Sequence, residues 1–200
     1  MNLKRIKLSL NLWRVAPLWR LCHTSKAWPL IEADLKRWKQ VDKKKCSDFQ
    51  FFGNSLLTKK EFRNLLQYRL HYAKSYVADF FTRFFFPLME TLMIRPDMKA
   101  GGGLYIQHGF ATIIAAEEIG ENFWVNQQVT IGYKNGKAPV IKDNVSVFAG
   151  AIIIGGITVD SDSKIGAGAT VVDDVPANAV VISPKANIYS SGFIKETKTS

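Results

Sequence analysis

The chain has little cysteine, little histidine and no long uninterrupted apolar run. Its two cysteines, Cys22 and Cys46, are too few for a disulfide framework and are not spaced as metal ligands. Reduced thiols in a cytoplasmic protein are expected, with no metal. The most apolar stretch, 75–94, is broken by Asp79, Arg83, Pro87 and Glu90. A membrane span needs about 20 mostly apolar residues, so none is expected. The start carries Lys4, Arg5, Lys7 and Arg14 but lacks the clean apolar run and small-residue site of a secretory signal. Apolar residues make up 47% and charged residues 22%, which excludes disordered and collagen-like classes. Two hundred residues make one domain, or one with a smaller unit attached.

Acidic residues are scarce in one half only. Residues 1–93 hold 18 basic and 7 acidic residues, a net of +11; residues 94–200 hold 9 and 10, a net of −1. The basic half fits an anionic partner, including the inner face of a membrane, or a solvated face. Trp13, Trp19 and Trp28 sit among cations there. They either lie on a membrane surface or pack a small helical core. No stacking platform or zinc pattern accompanies the charge, so nucleic-acid binding is not expected.

The first half, 1–93, reads as α-helical. Pro29 fits a first helical turn, followed by Leu30, Ile31, Leu35 and Trp38 at helical spacing. Gly53-Asn54 predicts a loop. Thr58-Lys59-Lys60-Glu61 matches a capping box. Phe62, Leu65, Leu66 and Leu70 form one stripe behind it. Val77, Phe80, Phe81, Phe84 and Phe85 predict a further helix stopped near Pro87, its phenylalanines serving as core or subunit contact.

Beyond residue 93 the period changes to six. Ile141, Val147, Ile153, Val159, Ile165 and Val171 are each six apart, and small or aliphatic residues follow each by four. Ile94, Ala100 and Ile106, then Ile113, Ile119, Val125 and Ile131, carry the rhythm upstream. A period of six predicts the short strands of a parallel β-helix, three sides to a coil of about 18 residues. Glycines at 120, 132, 150, 156, 166 and 168 fit its corners, where positive φ is needed. Hairpin signals expected of a β-sandwich are not apparent. The rhythm slips at 107–111, which contains His108, and breaks at 132–139. A solenoid accommodates insertions as outward loops, and such loops often bind.

Several phrases together carry a family resemblance: Gly103-Leu104-Tyr105-Ile106-Gln107-His108, Gly120-Glu121-Asn122 and Gln127-Gln128-Val129-Thr130-Ile131-Gly132. Phe148-Ala149-Gly150-Ala151, residues 164–172 and Asp174-Val175-Pro176 continue it. Residues 94–185 resemble the hexapeptide-repeat acyltransferases, which share a left-handed β-helix. Within these the segment is similar to the serine acetyltransferase branch and its relatives that O-acetylate bacterial polysaccharides. The resemblance implies a mostly β fold: a helical region at 1–93, a left-handed β-helix at 94–185 and a tail at 186–200. It also implies a homotrimer with active sites between subunits, and acetyl-CoA as co-substrate.

The chemistry implied is acetyl transfer to a hydroxyl, which needs a base as the hydroxyl attacks the thioester. Only His108 of the three histidines sits at a coil slip, and it matches the family's base. A backbone N–H near Gly132 and Tyr133 is expected at the oxyanion. By family position Gly150, Ala151 and Ala167 face the pantetheine arm, and Lys164 and Lys185 the phosphates. Gln127 and Asn135 are candidates for the acceptor. Two places depart from serine acetyltransferases: Ala138 stands where the loop carries a histidine, and Met93 where an aspartate orients the base. Glu117 or Glu118 is the expected substitute. The tail 195–200 lacks the terminal isoleucine by which many of them bind the next enzyme of cysteine synthesis. Gln67-Tyr68-Arg69, the aromatic run 80–86 and Pro87-Leu88 resemble the polysaccharide enzymes. The expected function is therefore saccharide O-acetylation of capsule, exopolysaccharide or lipopolysaccharide type. Serine O-acetyltransfer, or a silent scaffold, is the alternative.

Overall fold

A computed structural model describes residues 3–185. The expected tail at 186–200, and with it the chain end, lies outside the described residues. Six helices come first: α1 (Leu3–Leu10), α2 (Leu12–His23), α3 (Trp28–Val41), α4 (Asp48–Thr58), α5 (Lys60–Tyr72) and α6 (Tyr76–Phe85). Pro29 lies in the first turn of α3, where its missing N–H costs nothing. Ser47 caps α4, its Oγ accepting from the Gln50 amide at 3.2 Å.

Two local expectations fail for physical reasons. Gly53-Asn54 is not a loop but lies inside α4. Gly53 is buried where the helices meet: a Cβ there would come 2.5 Å from Leu8 Cδ1 and 3.0 Å from Val15 Cγ1. The glycine permits close helix packing rather than a turn. Thr58 does not cap α5. It is the last residue of α4, and its Oγ1 donates back to the Asn54 carbonyl at 2.6 Å. Lys59 takes the cap position without a side-chain bond. The stripe Phe62, Leu65, Leu66 and Leu70 is buried as expected. Trp19 and Trp28 pack together with rings 5.2 Å apart, and Phe49 and Phe52 also abut Trp19; Trp13 stays exposed. The α6 phenylalanines divide: Phe81 and Phe85 are half-buried, while Phe80 and Phe84 point outward.

A three-sided parallel β-helix of about five coils follows. The first coil runs β1 (Leu92–Ile94), β2 (Lys99–Ala100), β3 (Tyr105–Ile106); the second β4 (Thr112–Ile114), β5 (Glu118–Ile119), β6 (Trp124–Val125). The third runs β7 (Thr130–Gly132), β8 (Val140–Ile141), β9 (Ser146–Val147); the fourth β10 (Ile152–Ile154), β11 (Thr158–Val159), β12 (Lys164–Ile165). β13 (Thr170–Val171) and β14 (Val180–Val181) begin the fifth. The three sheets stack as β1-β4-β7-β10-β13, β2-β5-β8-β11 and β3-β6-β9-β12-β14, every pair parallel.

The six-residue column faces inward: Ile141, Val147, Ile153, Val159 and Ile165 are fully buried. Ile113 does not join it. Ile114 is the inward residue, paired with Ile94 and Ile131 across the sheet, and Ile113 points to solvent. The slip adds two residues between Ile106 and Ile114 and removes one before Ile119, so the sequence shows only the net shift of one. The corners also differ from expectation. Gly150 and Gly168 have positive φ, but Gly120, Gly132, Gly156 and Gly166 do not. One whole corner is held instead by Asn122, Asn144, Asp162 and Asn178, with φ between 56° and 63°. Asn122 donates to Asn144 and Asn144 to Asp162, both at 3.1 Å, so the short polar side chains stack as a ladder.

The helices close the open end of this solenoid. Arg69 and Asp34, both buried, form a two-pronged ion pair at 2.8 and 3.1 Å. The same guanidinium donates to the carbonyls of Ala100 at 2.7 Å and Gly101, and Asp34 accepts from the Leu104 amide at 2.8 Å. Trp38 Nε1 donates to the Leu104 carbonyl at 2.7 Å, Tyr68 Oη to that of Met98, and Asn64 to those of Met89 and Leu92. Removing one member of a buried pair leaves a bare charge. Asp34→Ala is expected to lower unfolding free energy by about 3–5 kcal/mol, read by urea denaturation. A loss under about 1 kcal/mol, the range of an exposed pair, contradicts the assignment.

Candidate active site

His108 follows β3 at the corner leading into β4. It is exposed, at φ +66°, and its carbonyl accepts from the Phe110 amide at 2.5 Å. Next to it Gly109 is buried at φ +35°. A Cβ on Gly109 would lie 2.9 Å from Glu61 Cγ and 3.1 Å from both Ile106 and Leu92. The glycine therefore lets α5 close against the turn that presents the histidine. A cleft of about 270 Å³ results, lined by His108, Gln107, Tyr105, Trp38, Lys59 and Glu61 among others.

One wall of this cleft comes from the helical half, which sequence reasoning treated as a separate object. Trp38 stacks 4.8 Å from Tyr105, and Lys59 Nζ lies 5.1 Å above the Trp38 ring while pairing with Asp42. Nothing in the spacing of residues 1–93 marks Glu61 or Lys59 as cleft residues, because the pairing is set by how α3 and α5 dock on the first coil. The expected orienting acids are elsewhere. Glu118 is held by Lys99 at 2.8 Å on the second sheet, and Glu117 lies exposed at the other end of β4. Met93 points to solvent, and Glu61 is the acid that shares the cleft with His108.

The predicted site residues fall on two edges of the prism. Strand pairing carries the His108 corner up the solenoid through Gln127, Gly150 and Gly168: the Gly150 amide donates to the Gln127 carbonyl at 3.1 Å and the Gly168 amide to Ala149 at 2.9 Å. Ala167 is exposed on this edge. Gln127 Oε1 is buried without a hydrogen-bond partner. Ala151, next to Gly150, is fully inside the coil, with its amide bonded to Phe148 and its carbonyl to Thr130. Both of its backbone groups are therefore already used. Lys164 and Lys185 are exposed, the first on β12, the second at the end of the described residues.

Gly132, Tyr133 and Asn135 occupy the other edge, between the first and second sheets. The break at 132–139 is a small hairpin, not a plain loop. Lys134 and Lys137 exchange backbone hydrogen bonds at 3.0 and 3.2 Å around Asn135 and Gly136, at φ +54° and +74°. Positive φ at both central residues is the signature of a type I′ turn, so Asn135-Gly136 was a hairpin signal. The hairpin leans on the fourth coil: a Cβ at Gly156 would come 2.8 Å from Lys137 Cβ. At its base the Arg95 guanidinium lies 5.4 Å from the Tyr133 ring centre and donates to its hydroxyl. Asp97 grips the same guanidinium with two bonds of 2.7 Å, and the hydrogen bond holds the Asp97 carboxyl below its ordinary value. His108 and the Gly132–Tyr133 amides therefore sit at opposite ends of the first sheet's strands, and one chain does not bring them together. Of the cysteines, Cys22 is buried, which pushes its thiol well up, and Cys46 is half-buried; both are free.

No family model matches the chain. It is 33% identical over 145 residues to a serine acetyltransferase of Staphylococcus aureus, covering 68% of this chain and 66% of that protein. A serine acetyltransferase of Helicobacter pylori is 38% identical over 98 residues, 46% of this chain and 57% of that one. The chain thus spans less than two thirds of the length of either relative. Among solved structures, Neisseria gonorrhoeae serine acetyltransferase in complex with serine matches with a TM-score of 0.62 at 28% identity, over 86% of this chain and 73% of that one. Serine acetyltransferase of Brucella abortus gives 0.63 at 25% identity, over 82% and 70%. In sequence and fold the chain resembles the hexapeptide-repeat acetyltransferases of the serine acetyltransferase-like branch. These relatives carry acetyltransferase names, and the match to the Neisseria gonorrhoeae structure, over 86% of this chain, reaches beyond the coils. Among the described residues no helix is long and apolar enough to cross a membrane.

The seat of the hairpin on Gly156 can be tested in this acetyltransferase-like chain. Gly156→Val would meet the Lys137 side chain and unseat the hairpin. Tryptic cleavage after Lys134 or Lys137 is expected to quicken by roughly tenfold, as for a loop freed to open locally. An unchanged cleavage rate contradicts the packing.

Proposed function

We propose that the chain transfers acetyl from acetyl-CoA to a hydroxyl, with His108 as general base. The observation that carries this reading is the exposed His108 at the coil break, facing the cleft shared with Trp38, Lys59 and Glu61. An imidazole nitrogen takes the acceptor's proton as its oxygen attacks the thioester carbon. The carbon–sulfur bond then breaks, and the CoA thiolate recovers that proton. Gly150 and Ala167, stacked on the same edge, fit a track for the pantetheine arm, with Lys164 and Lys185 available to its phosphates and Gln127 beside them as the acceptor candidate. Ala151 supports this only by shaping the coil beneath.

The acceptor reading shifts toward serine. The loop 132–139 carries no acid, which taken alone favours a saccharide, because the ammonium of free serine needs a counter-charge. The cleft supplies one in Glu61 and a cation in Lys59, and the relatives that match are serine acetyltransferases. A saccharide hydroxyl is the second reading, favoured by Met93 and Ala138 standing where the branch carries an aspartate and a histidine.

The hairpin edge supports a trimer. With His108 on one edge and the Gly132–Tyr133 amides on another, a neighbouring copy can place its hairpin beside His108. Light scattering is expected to give three times 22.5 kDa. A monomer at micromolar concentration would sink the shared site.

Activity is tested by thiol release from acetyl-CoA with L-serine and a panel of sugars side by side. His108→Ala is expected to lower kcat by roughly 10²–10⁴, the usual worth of a general base. If serine is the acceptor, Glu61→Gln raises its KM by about tenfold or more, for a lost charge-assisted contact. Turnover of sugars but not serine, untouched by Glu61→Gln, gives the assignment to the second reading.

A further inference from the structure

The helix before the solenoid carries an apolar face that none of the described residues covers. Tyr76, Val77, Phe80 and Phe84 of α6, with Trp13 of α2, are between 63 and 70% exposed. At 100° per residue the four α6 positions fall within a stripe about 100° wide. The stripe continues onto α2. Trp13 meets Phe85 edge-on at 5.4 Å, Phe85 meets Phe84 at 4.8 Å, and Phe80 stacks on Phe84 at 6.0 Å. Arg14 fastens the two helices by donating to the Phe85 carbonyl at 3.1 Å. Leu10 and Leu12, also exposed, extend the surface to the α1–α2 junction.

The sequence of α1 and α2 carries charge of one sign. Residues 3–23 hold Lys4, Arg5, Lys7, Arg14 and Arg20 and no acid. On α6 the one acid, Asp79, is buried and already bonded to His71, Arg83 and Gln67. A broad aromatic face on a strongly basic segment is the chemistry of a helix that lies in the headgroup region of an anionic bilayer. A two-fold contact with a second copy would set these cations against themselves.

We infer that α6, with the α1–α2 junction, is a docking surface for an anionic membrane. The side chains of Phe80, Phe84, Val77 and Trp13 enter the acyl boundary and the basic residues meet lipid phosphates. Six helices that fold over the first coil then also hold the acetyltransferase-like coils at a lipid surface. This inference does not depend on which hydroxyl is acetylated.

The full chain is mixed with vesicles of phosphatidylcholine alone, or with about a third phosphatidylglycerol, and sedimented. Wild type is expected to partition onto the anionic vesicles at least tenfold more than onto the neutral ones. Raising sodium chloride from about 0.1 to 0.5 M should weaken that binding several-fold, as screening predicts. Phe80→Ser/Phe84→Ser is expected to lose at least tenfold in vesicle binding while its mass by light scattering stays that of wild type. Wild type that ignores anionic vesicles, or binds them regardless of salt, overturns the inference. So does a double variant that binds vesicles like wild type. A double variant that falls to a smaller assembly shows that the face covers a second copy, and also overturns it.

Discussion

The buried pair of Arg69 and Asp34 is the constraint on which the two halves of this molecule depend. A parallel solenoid exposes unpaired strand edges at its ends, and an end coil must be covered to stay in place. Here the cover is a set of helices with few backbone groups to spare. They meet the edge through side chains: the Arg69 fork takes the Ala100 and Gly101 carbonyls, and Asp34 takes the Leu104 amide. Two opposite charges are costly to bury, and they repay that cost only when every donor and lone pair finds a partner. Arg69 and Asp34 come close to that condition by dividing their bonds between each other and the first coil, with four of the five guanidinium N–H groups engaged. Tyr68, Asn64 and Trp38 extend the same arrangement to Met98, Leu92 and Leu104.

That arrangement explains why the sequence was legible in one half and much less so in the other. The solenoid repeats its own environment every coil, so Ile141, Val147 and Ile153 each meet the same demand for an inward aliphatic side chain. The pattern fails where the environment stops repeating. Ile113 looked like a member of the column because two compensating shifts hide in a net displacement of one. Asn122, Asn144 and Asp162 hold a corner that glycine was expected to hold, since side-chain amides and carboxylates both tolerate positive φ and bond to one another up the ladder. In the helices, Gly53 and Thr58 followed long-range packing and an i−4 carbonyl rather than the local signals they resembled.

The candidate site shows the same division. His108 could be singled out because it interrupts a regular pattern, and an interruption is visible in sequence. Glu61, Lys59 and Trp38 interrupt nothing, and their place beside His108 comes from docking alone. The hairpin at 132–139 was visible as a break, and its turn was written plainly in Asn135-Gly136. Its position was not, because only the fold places it at the far end of the first sheet from His108.

Trp38 joins these threads. Its indole N–H satisfies the Leu104 carbonyl, its ring packs on Tyr105, and the Lys59 ammonium lies over its face at the cleft. The residue that helps seal the first coil is thus also a wall of the site. Gly109 works from the other side: without a Cβ it lets Glu61 close on the turn that carries His108. The distance between the acid and the histidine is therefore set by how tightly the cap sits, not by either residue's own backbone. A helical region that only shielded strand edges would not need to place an acid and a lysine over the one histidine at the coil break. Its docking both completes the fold and gives the cleft its charge, which is why the coils alone could identify the branch but not the acceptor.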